Sequence, residues 1–317
     1  MKKLFLIIIV LMVNNLCAND PNLKVIVPMA GLGTRLLPLT KAGSKSMVAL
    51  IDKPALHHVV EEALQSHITD FCFIINENEK SLIEHYFSFD VALDNVLAKK
   101  NKSSLLAPLN NLLEQAHFTY IAQPEPLGLG HAVLMGESFI KPGEFFCVML
   151  PDNIIESNDP HMAQLIALAK KYNATVITVE EITYEQASAY AVVTPREFIN
   201  EDLVVVADII EKPKSIEQAL CLGQIGRHVF SYDIFESLKA TKPGVGGEIQ
   251  LTDAVRHMIQ LGKPVLAYKL KGKRHDVGTL EGLLETTITL ALHNPIYKDI
   301  VHKVFTQEAL GQTDNFR

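Results

Sequence analysis

The chain has 317 residues, 48% of them hydrophobic and 21% charged, with a formal net charge of −7. Such a composition buries a full core and excludes an intrinsically disordered chain, and the length suits one large α/β domain or two modest ones. The acidic balance and the lack of a long basic run argue against a nucleic-acid partner, although a locally basic pocket stays open.

The first stretch, MKKLFLIIIVLMVNNLCAND, places Lys2 and Lys3 before an apolar run that ends at Val13, with the small Ala18 beyond it. This is the layout of a signal peptide over residues 1–18, cleaved after Ala18. Its apolar run is too short for stable membrane insertion. The leader predicts export, periplasmic or secreted. The alternative is a cytoplasmic protein whose true start lies downstream, at Met12. Loss of the leader leaves three of the four cysteines, an odd number without a CxxC pair. Neither a disulfide framework nor a zinc site is expected.

From residue 22 to 295 the pattern reads as one continuous domain. The apolar runs KVIVPM (24–29), FCFII (71–75), FTYIA (118–122) and EFFCVML (144–150) predict buried strands, with Cys72 and Cys147 as buried thiols. PALHHVVEEALQSHI places Leu56, Val59, Val60, Ala63 and Leu64 at helical spacing, with Asp52 expected as its N-cap and Pro54 in its first turn. GHAVLMGESF and PHMAQLIALAKKY also read as helices. The alternation implies an α/β fold with a Rossmann-like, mixed but mostly parallel sheet flanked by helices. After residue 173 the texture becomes β-rich in ATVITVEEI, AYAVV, LVVVADII and PVLAYKL. A helix from Leu280 to His293 closes the domain, and residues 296–317 read as a polar tail.

AGLGTR (30–35) directly follows the first predicted strand. Gly31 and Gly33 let the chain turn and bring backbone N–H groups to phosphate oxygens, while Arg35 and Lys45 add cationic donors. The spacing fits neither the dinucleotide fingerprint nor a Walker A loop. A tight structural turn is the competing explanation for the glycines alone. Asp152 stands at the end of a predicted strand and Asp276 follows KGKRH; each could be a turn residue.

AGLGTRLLPLTKAGSKSMVALIDKP resembles the opening of the bacterial sugar nucleotidyltransferases, most closely their UTP–glucose-1-phosphate uridylyltransferase branch. QPEPLGLGHAV (123–133), LPDN (150–153), EKPK (211–214), KPGVGGEIQLTDA (242–254) and GKRHDVG (272–278) follow in the family's order. The resemblance implies the glycosyltransferase-A-like nucleotidyltransferase fold, with UTP and glucose 1-phosphate as substrates, UDP-glucose and pyrophosphate as products, and homo-oligomer formation. It implies Mg²⁺ held by Asp152 and Asp276, and catalytic roles for Arg35, Lys45, Asp152 and Lys212. Ala30, Gly31, Leu32, Gly33, Thr34, Gln123 and Gly128 would hold the nucleotide. Ala191, Glu211, Lys212, Gly247 and Glu248 would hold the sugar phosphate, the last two as a loop and helix cap. His131 is expected to be structural.

The chain also departs from the family pattern. Ser44-Lys45-Ser46-Met47 keeps the lysine but lacks the usual proline and acid, and leans toward thymidylyl-type relatives. Asn153 replaces a common second acid, Ala191 a glycine, Leu280 a lysine and Leu283 a tyrosine. These changes keep two other readings open: a relative using dTTP or another sugar phosphate, and a catalytically weak, exported nucleotide-sugar-binding protein.

Overall fold

The computed structural model describes residues 23–215 and 221–309. The leader expected over residues 1–18 lies outside the described residues. In chain order the elements begin with β1 (Lys24–Pro28), β2 (Ala49–Leu50), β3 (Lys53–Pro54), α1 (Ala55–Gln65), β4 (Asp70–Ile75), α2 (Lys80–Tyr86), α3 (Val91–Lys99) and α4 (Ala107–Leu113). Next come β5 (His117–Ala122), α5 (Leu129–Met135), β6 (Phe145–Met149), β7 (Asn153–Glu156), α6 (His161–Tyr172), β8 (Thr175–Ile182), β9 (Ala191–Phe198) and β10 (Leu203–Glu211). β11 (Cys221–Ser231), α7 (Ile234–Ala240), α8 (Leu251–Gln260), β12 (Val265–Lys269), β13 (Lys273–Asp276), α9 (Leu280–His293) and α10 (Lys298–Ala309) complete the fold.

Nine strands form one sheet in the order β5-β4-β1-β6-β11-β8-β12-β10-β9. Parallel pairing joins β5, β4, β1 and β6. Of the nine, only β10 and β11 run against the rest. The mixed, mostly parallel Rossmann-like sheet is therefore present.

Side chains on a strand alternate between faces, and the core divides accordingly. Val25 and Val27 of β1, Phe71 and Phe73 of β4, and Cys147 and Met149 of β6 pack on one side with α1 and α6. Ile26, Cys72, Ile74, Phe146 and Val148 pack on the other with α5, α7 and α8. A strand buried on both faces has no polar partner to alternate with, so these runs read as continuous apolar stretches. Burial raises the Cys72 thiol to about 12 and lifts Cys147 as well, as expected of inert core thiols.

Several sequence expectations change. Asp52 does not cap α1: Pro54 is the N-cap residue, and residues 49–54 form the β2–β3 hairpin instead. Ile51 turns that hairpin with φ +64°, and the Asp52 carboxylate accepts a hydrogen bond from the Tyr297 hydroxyl at 3.2 Å. The polar tail carries a helix, α10, whose apolar Ile300, Val304 and Phe305 are exposed. The segment between β4 and β5 holds three short helices, and β11 is a central strand that the sequence reading passed over. Among the described residues, no helix is long and apolar enough to cross a membrane.

Candidate active site

A cavity of about 540 Å³ opens beyond the carboxyl ends of β1, β5 and β6. Its wall includes Ala30 to Arg35 after β1, Gln123 and Gly128 after β5, and Asp152 after β6, together with Lys45 and Glu248. Open parallel sheets place ligands in this position, because diverging loops there present free backbone groups.

The glycine loop has two distinct parts. Gly33 adopts φ +61°, and a Cβ there would stand 3.1 Å from Lys45 Cβ and from Thr40 Cγ2. Glycine thus lets the Lys45 segment close against the loop, and Thr40 secures the turn by donating to the Gly33 carbonyl at 2.9 Å. A Cβ on Gly31 would meet nothing within 4 Å, so its bare backbone leaves the cavity open. Gly31 fits the close approach of a ligand, and Gly33 the close approach of the protein itself.

Lys45 Nζ donates to Asp152 Oδ2 at 2.5 Å, and the exposed Arg35 guanidinium lies 3.9 Å from the same oxygen. Asn153 is buried and donates to Asp152 Oδ1 at 2.7 Å. Burial disfavours the Asp152 charge, yet Lys45, the Asn153 amide and Arg35 together outweigh it and hold this carboxyl below its ordinary range. Asn153, standing where the family pattern commonly has a second acid, thus orients the first.

The two distant aspartates meet because β7 and β13 pair antiparallel, with Asn153 opposite Asp276. The Val277 amide donates to the Asp152 carbonyl at 2.9 Å, and the Gly278 amide to Asp276 Oδ1 at 2.8 Å. The point where a Gly278 Cβ would lie is 2.9 Å from Asp276 Oδ1, 3.1 Å from Asp152 Oδ2 and 3.1 Å from Lys45 Nζ. The separation of the two carboxylate oxygens is bounded by the sum of the first two distances. No group of three or more His, Cys, Asp or Glu side chains gathers as a metal cage among the described residues. A pair of carboxylates still fits a hard cation that takes its other ligands from phosphate and water.

Behind this site lies an arginine absent from the sequence reading. Arg227 of β11 is fully buried. Its Nη1 donates to the Leu150 carbonyl at 3.0 Å and to the Gly226 carbonyl at 2.9 Å. Nη2 donates to the Asn153 carbonyl at 2.6 Å and to Glu62 Oε2 at 2.7 Å, and Nε to Glu62 Oε1 at 3.0 Å. All five guanidinium hydrogens are engaged. The carbonyls of Leu150 and Asn153 bracket Asp152, so Arg227 and Glu62 clamp the turn that presents it.

On the opposite wall, Gly128 has φ +104°, and a Cβ there would lie 2.6 Å from Glu248 Cβ. The Ile249 amide donates to the Leu127 carbonyl and the Gly130 amide to the Ile249 carbonyl, each at 2.8 Å. The PLGLG and GGEIQ loops are thus zipped together. Glu248 does not cap α8, whose N-cap residue is Gln250 without a side-chain cap. It stands instead on the cavity wall beside Gly128, while Gly247, with φ +76°, turns the exposed loop before it.

The EKPK segment and Ala191 lie outside that cavity wall. Ala191 pairs with Glu211 across β9 and β10. Glu211 Oε2 accepts from Thr252 at 2.7 Å, and Lys212 Nζ lies 3.6 Å from Glu211 Oε1. Lys212 is held at φ +43°, a conformation rare for a side-chain-bearing residue, while its amide donates to the Tyr190 carbonyl. Burial and the neighbouring Glu211 push the Asp253 carboxyl upward. Arg274 joins this region to the aspartate pair. Its Nη2 donates to Tyr190 Oη and to Glu180, both at 2.6 Å, and its Nη1 donates to Asp276 Oδ2 at 3.3 Å.

The site thus joins a glycine loop and two cations beyond the main sheet to two carboxylates that the β7–β13 ribbon brings together, the equipment of an enzyme that handles phosphate esters. The nucleotidyl transferase family model matches residues 24–291, and the chain belongs to that family. It is 35% identical over 288 residues to UTP--glucose-1-phosphate uridylyltransferase of Mycoplasma pneumoniae, covering 90% of this chain and 98% of that one. Against UTP--glucose-1-phosphate uridylyltransferase YngB of Bacillus subtilis the identity is 38% over 272 residues, with 86% and 90% covered. Among solved structures, UTP-bound UGPase from Acinetobacter baumannii superimposes with TM-score 0.82 at 31% identity, covering 90% of this chain and 99% of that one. A UDP-glucose pyrophosphorylase complexed with UDP-glucose gives 0.78 at 34% identity, covering 86% and 99%.

Proposed function

We propose that this chain transfers the uridylyl group of UTP to glucose 1-phosphate, giving UDP-glucose and pyrophosphate. The observation that carries this reading is the meeting of Asp152, Asp276 and Lys45 around Gly278, at the mouth of a cavity walled by the glycine loop and Gln123. The names carried by relatives covering most of the chain point the same way. A thymidylyltransferase among the structural neighbours is only 20% identical and supports the fold alone.

Both substrates are polyanions, so the site must offset their repulsion and align them for in-line displacement at the α-phosphorus. The loop from Ala30 to Thr34 offers backbone donors, and Arg35 and Lys45 supply the positive charge. Lys45, paired with Asp152, can exchange that contact for a phosphate oxygen as substrate enters. Gln123 and Gly128 face the base, with the glycine admitting it closely. Glu211 accepts from sugar hydroxyls, and Lys212 meets the sugar's phosphate. The donor set of Asp152 and Asp276 fits Mg²⁺, which when bound supplies further charge neutralisation at the reacting phosphoryl group. The chain's own task is to hold that carboxylate pair and to keep the leaving oxygens against fixed cations.

The test is pyrophosphate release by the purified protein with Mg²⁺, glucose 1-phosphate and each nucleoside triphosphate in turn. UTP-dependent release that disappears in Asp152→Asn supports the proposal; release with dTTP alone overturns it. Export by residues 1–18 belongs to the proposal too, and requires delivery to a compartment that holds UTP. Amino-terminal sequencing of the mature protein checks it, and an intact terminus in the cytosolic fraction overturns that part.

A further inference from the structure

We infer that His131 is a specificity-determining residue, locking the Gln123 amide so that only its carbonyl oxygen faces a base, which selects uracil over cytosine. This rests on the uridylyl reading of the cavity. Gln123 follows β5, is 8% exposed and lines the cavity. Its Nε2 lies 3.3 Å from the Gly128 carbonyl oxygen and 2.8 Å from His131 Nδ1.

The chemistry of these partners fixes which way the amide points. A backbone carbonyl can only accept, so the group facing Gly128 must be the NH₂ and not the oxygen. The second NH₂ hydrogen then points at His131 Nδ1, which must offer a lone pair. His131 is therefore the neutral tautomer with its proton on Nε2. With both amide hydrogens engaged, Gln123 offers a ligand only the acceptor Oε1.

Uracil presents N3–H, a donor that Oε1 satisfies. Cytosine in the same position presents an unprotonated N3, an acceptor, and sets two lone pairs against each other. A free glutamine could rotate its amide and offer NH₂ to cytosine at little cost. Among the described residues, the Gly128 and His131 contacts oppose that rotation, and the His131 contact is the shorter. The histidine thus converts an indifferent amide into a selective one. Thymine carries the same N3–H, so the device discriminates against cytosine and not against thymine.

The experiment compares UTP with CTP, as the ratio of their kcat/KM values, in wild type, His131→Phe, His131→Leu and His131→Asn. A second readout is the binding ratio of UMP to CMP by calorimetry, without metal or sugar phosphate. His131→Phe keeps a ring without an acceptor and should lower the UTP preference by about tenfold or more, since an unmatched buried hydrogen-bonding group is the usual source of such discrimination. His131→Asn places Oδ1 where Nδ1 was and should retain the wild-type ratio within about threefold, the scatter expected of a kept hydrogen bond. Leu and Asn are alike in shape, so that pair makes the same comparison if the Phe variant fails to fold. A folded Phe or Leu variant with the wild-type ratio overturns the inference, as does an Asn variant that loses as much as Leu. A wild-type protein that neither turns over nor binds uridine nucleotides overturns the uridylyl reading first, and the two failures are thereby told apart.

Discussion

Glu62→Gln tests whether the buried clamp behind Asp152 governs both stability and turnover. The substitution keeps the shape of the side chain but removes the charge facing Arg227, which is 0% exposed and bonded to Glu62 through Nε and Nη2. Gln retains one acceptor and turns an NH₂ group toward the guanidinium, so a donor meets a donor. Loss of one partner of a buried ion pair typically costs about 3–5 kcal/mol. The Glu62 side chain is 11% exposed, so some water relief is available and the lower end applies. At roughly 1.5 °C per kcal/mol for a chain of this size, Tm should fall by about 5 °C. Loosening the Leu150 and Asn153 carbonyls also shifts the Asp152 turn, and an ångström-scale displacement of a reacting group can cost ~10²-fold in rate. Calorimetric melting and pyrophosphate release read the two effects. Replacing both partners, as Arg227→Met with Glu62→Leu, removes the charge penalty but takes a donor from the Leu150, Gly226 and Asn153 carbonyls, so it should recover only part of the lost stability while activity stays low. A Glu62→Gln protein melting within 2 °C of wild type, roughly the effect of an ordinary surface change, would refute the reasoning.

The aspartate pair, the loop packing and the buried histidines each give a further expectation. On the proposed function, Asp276→Asn should lower kcat by at least ~10²-fold, while the protein melts near the wild-type temperature because the side chain is 39% exposed and not part of the core; single-turnover kinetics and calorimetric melting check the two. Gly128→Ala forces a Cβ to 2.6 Å from Glu248 Cβ at φ +104° and should cost about 2–3 kcal/mol and raise the KM for UTP; urea titration and steady-state rates measure the two. His161 and His228 are buried, and burial followed by the charge of Arg227 lowers them to about 4 and about 3 from 6.5. The unfolded chain protonates first as pH falls through 6.5, so stability is full above that value and declines below it, by about 4 kcal/mol at pH 5 for the pair; denaturant midpoints from pH 8 to pH 5 should show this fall, and a flat profile would contradict it. Light scattering should show the expected homo-oligomer, since Leu284, Ile296, Ile300 and Phe305 on and beside α9 and α10 are all more than half exposed.

What the sequence disclosed follows from where each signal is local. β1, β4 and β6 are buried on both faces, so each leaves an unbroken apolar run, and the bounds of α9 follow from its periodicity. The glycine loop shows in the same way, because a turn with φ above zero demands its residue type. β11 escaped because its apolar character is interrupted by Gln224, Arg227 and His228, polar residues that look exposed in sequence; Gln224 and His228 face each other within the strand, and Arg227 is held inside by partners elsewhere in the chain. The functional consequence is larger than the topological one: GRHVF hides the clamp on Asp152, and only contacts to Glu62 and Leu150 make its Arg227 meaningful. Asp52 failed as a cap because a hairpin competed for the same residues and won through β pairing. The family resemblance places Glu248 at a helix start, whereas close packing against Gly128 puts it on the cavity wall. The convergence of Asp152 and Asp276 was anticipated from family resemblance, but its physical cause, the β7–β13 pairing, has no signature in either segment alone.

That pairing also has a temporal consequence. A ribosome delivers residues 152 and 276 at well-separated moments, and the short ribbon that brings them together cannot form until β13 has left the exit tunnel. A nascent or truncated chain ending before that strand lacks the second carboxylate and the backbone grip on the first. If the carboxylate pair carries the reaction, a chain that stops short of β13 should release no pyrophosphate.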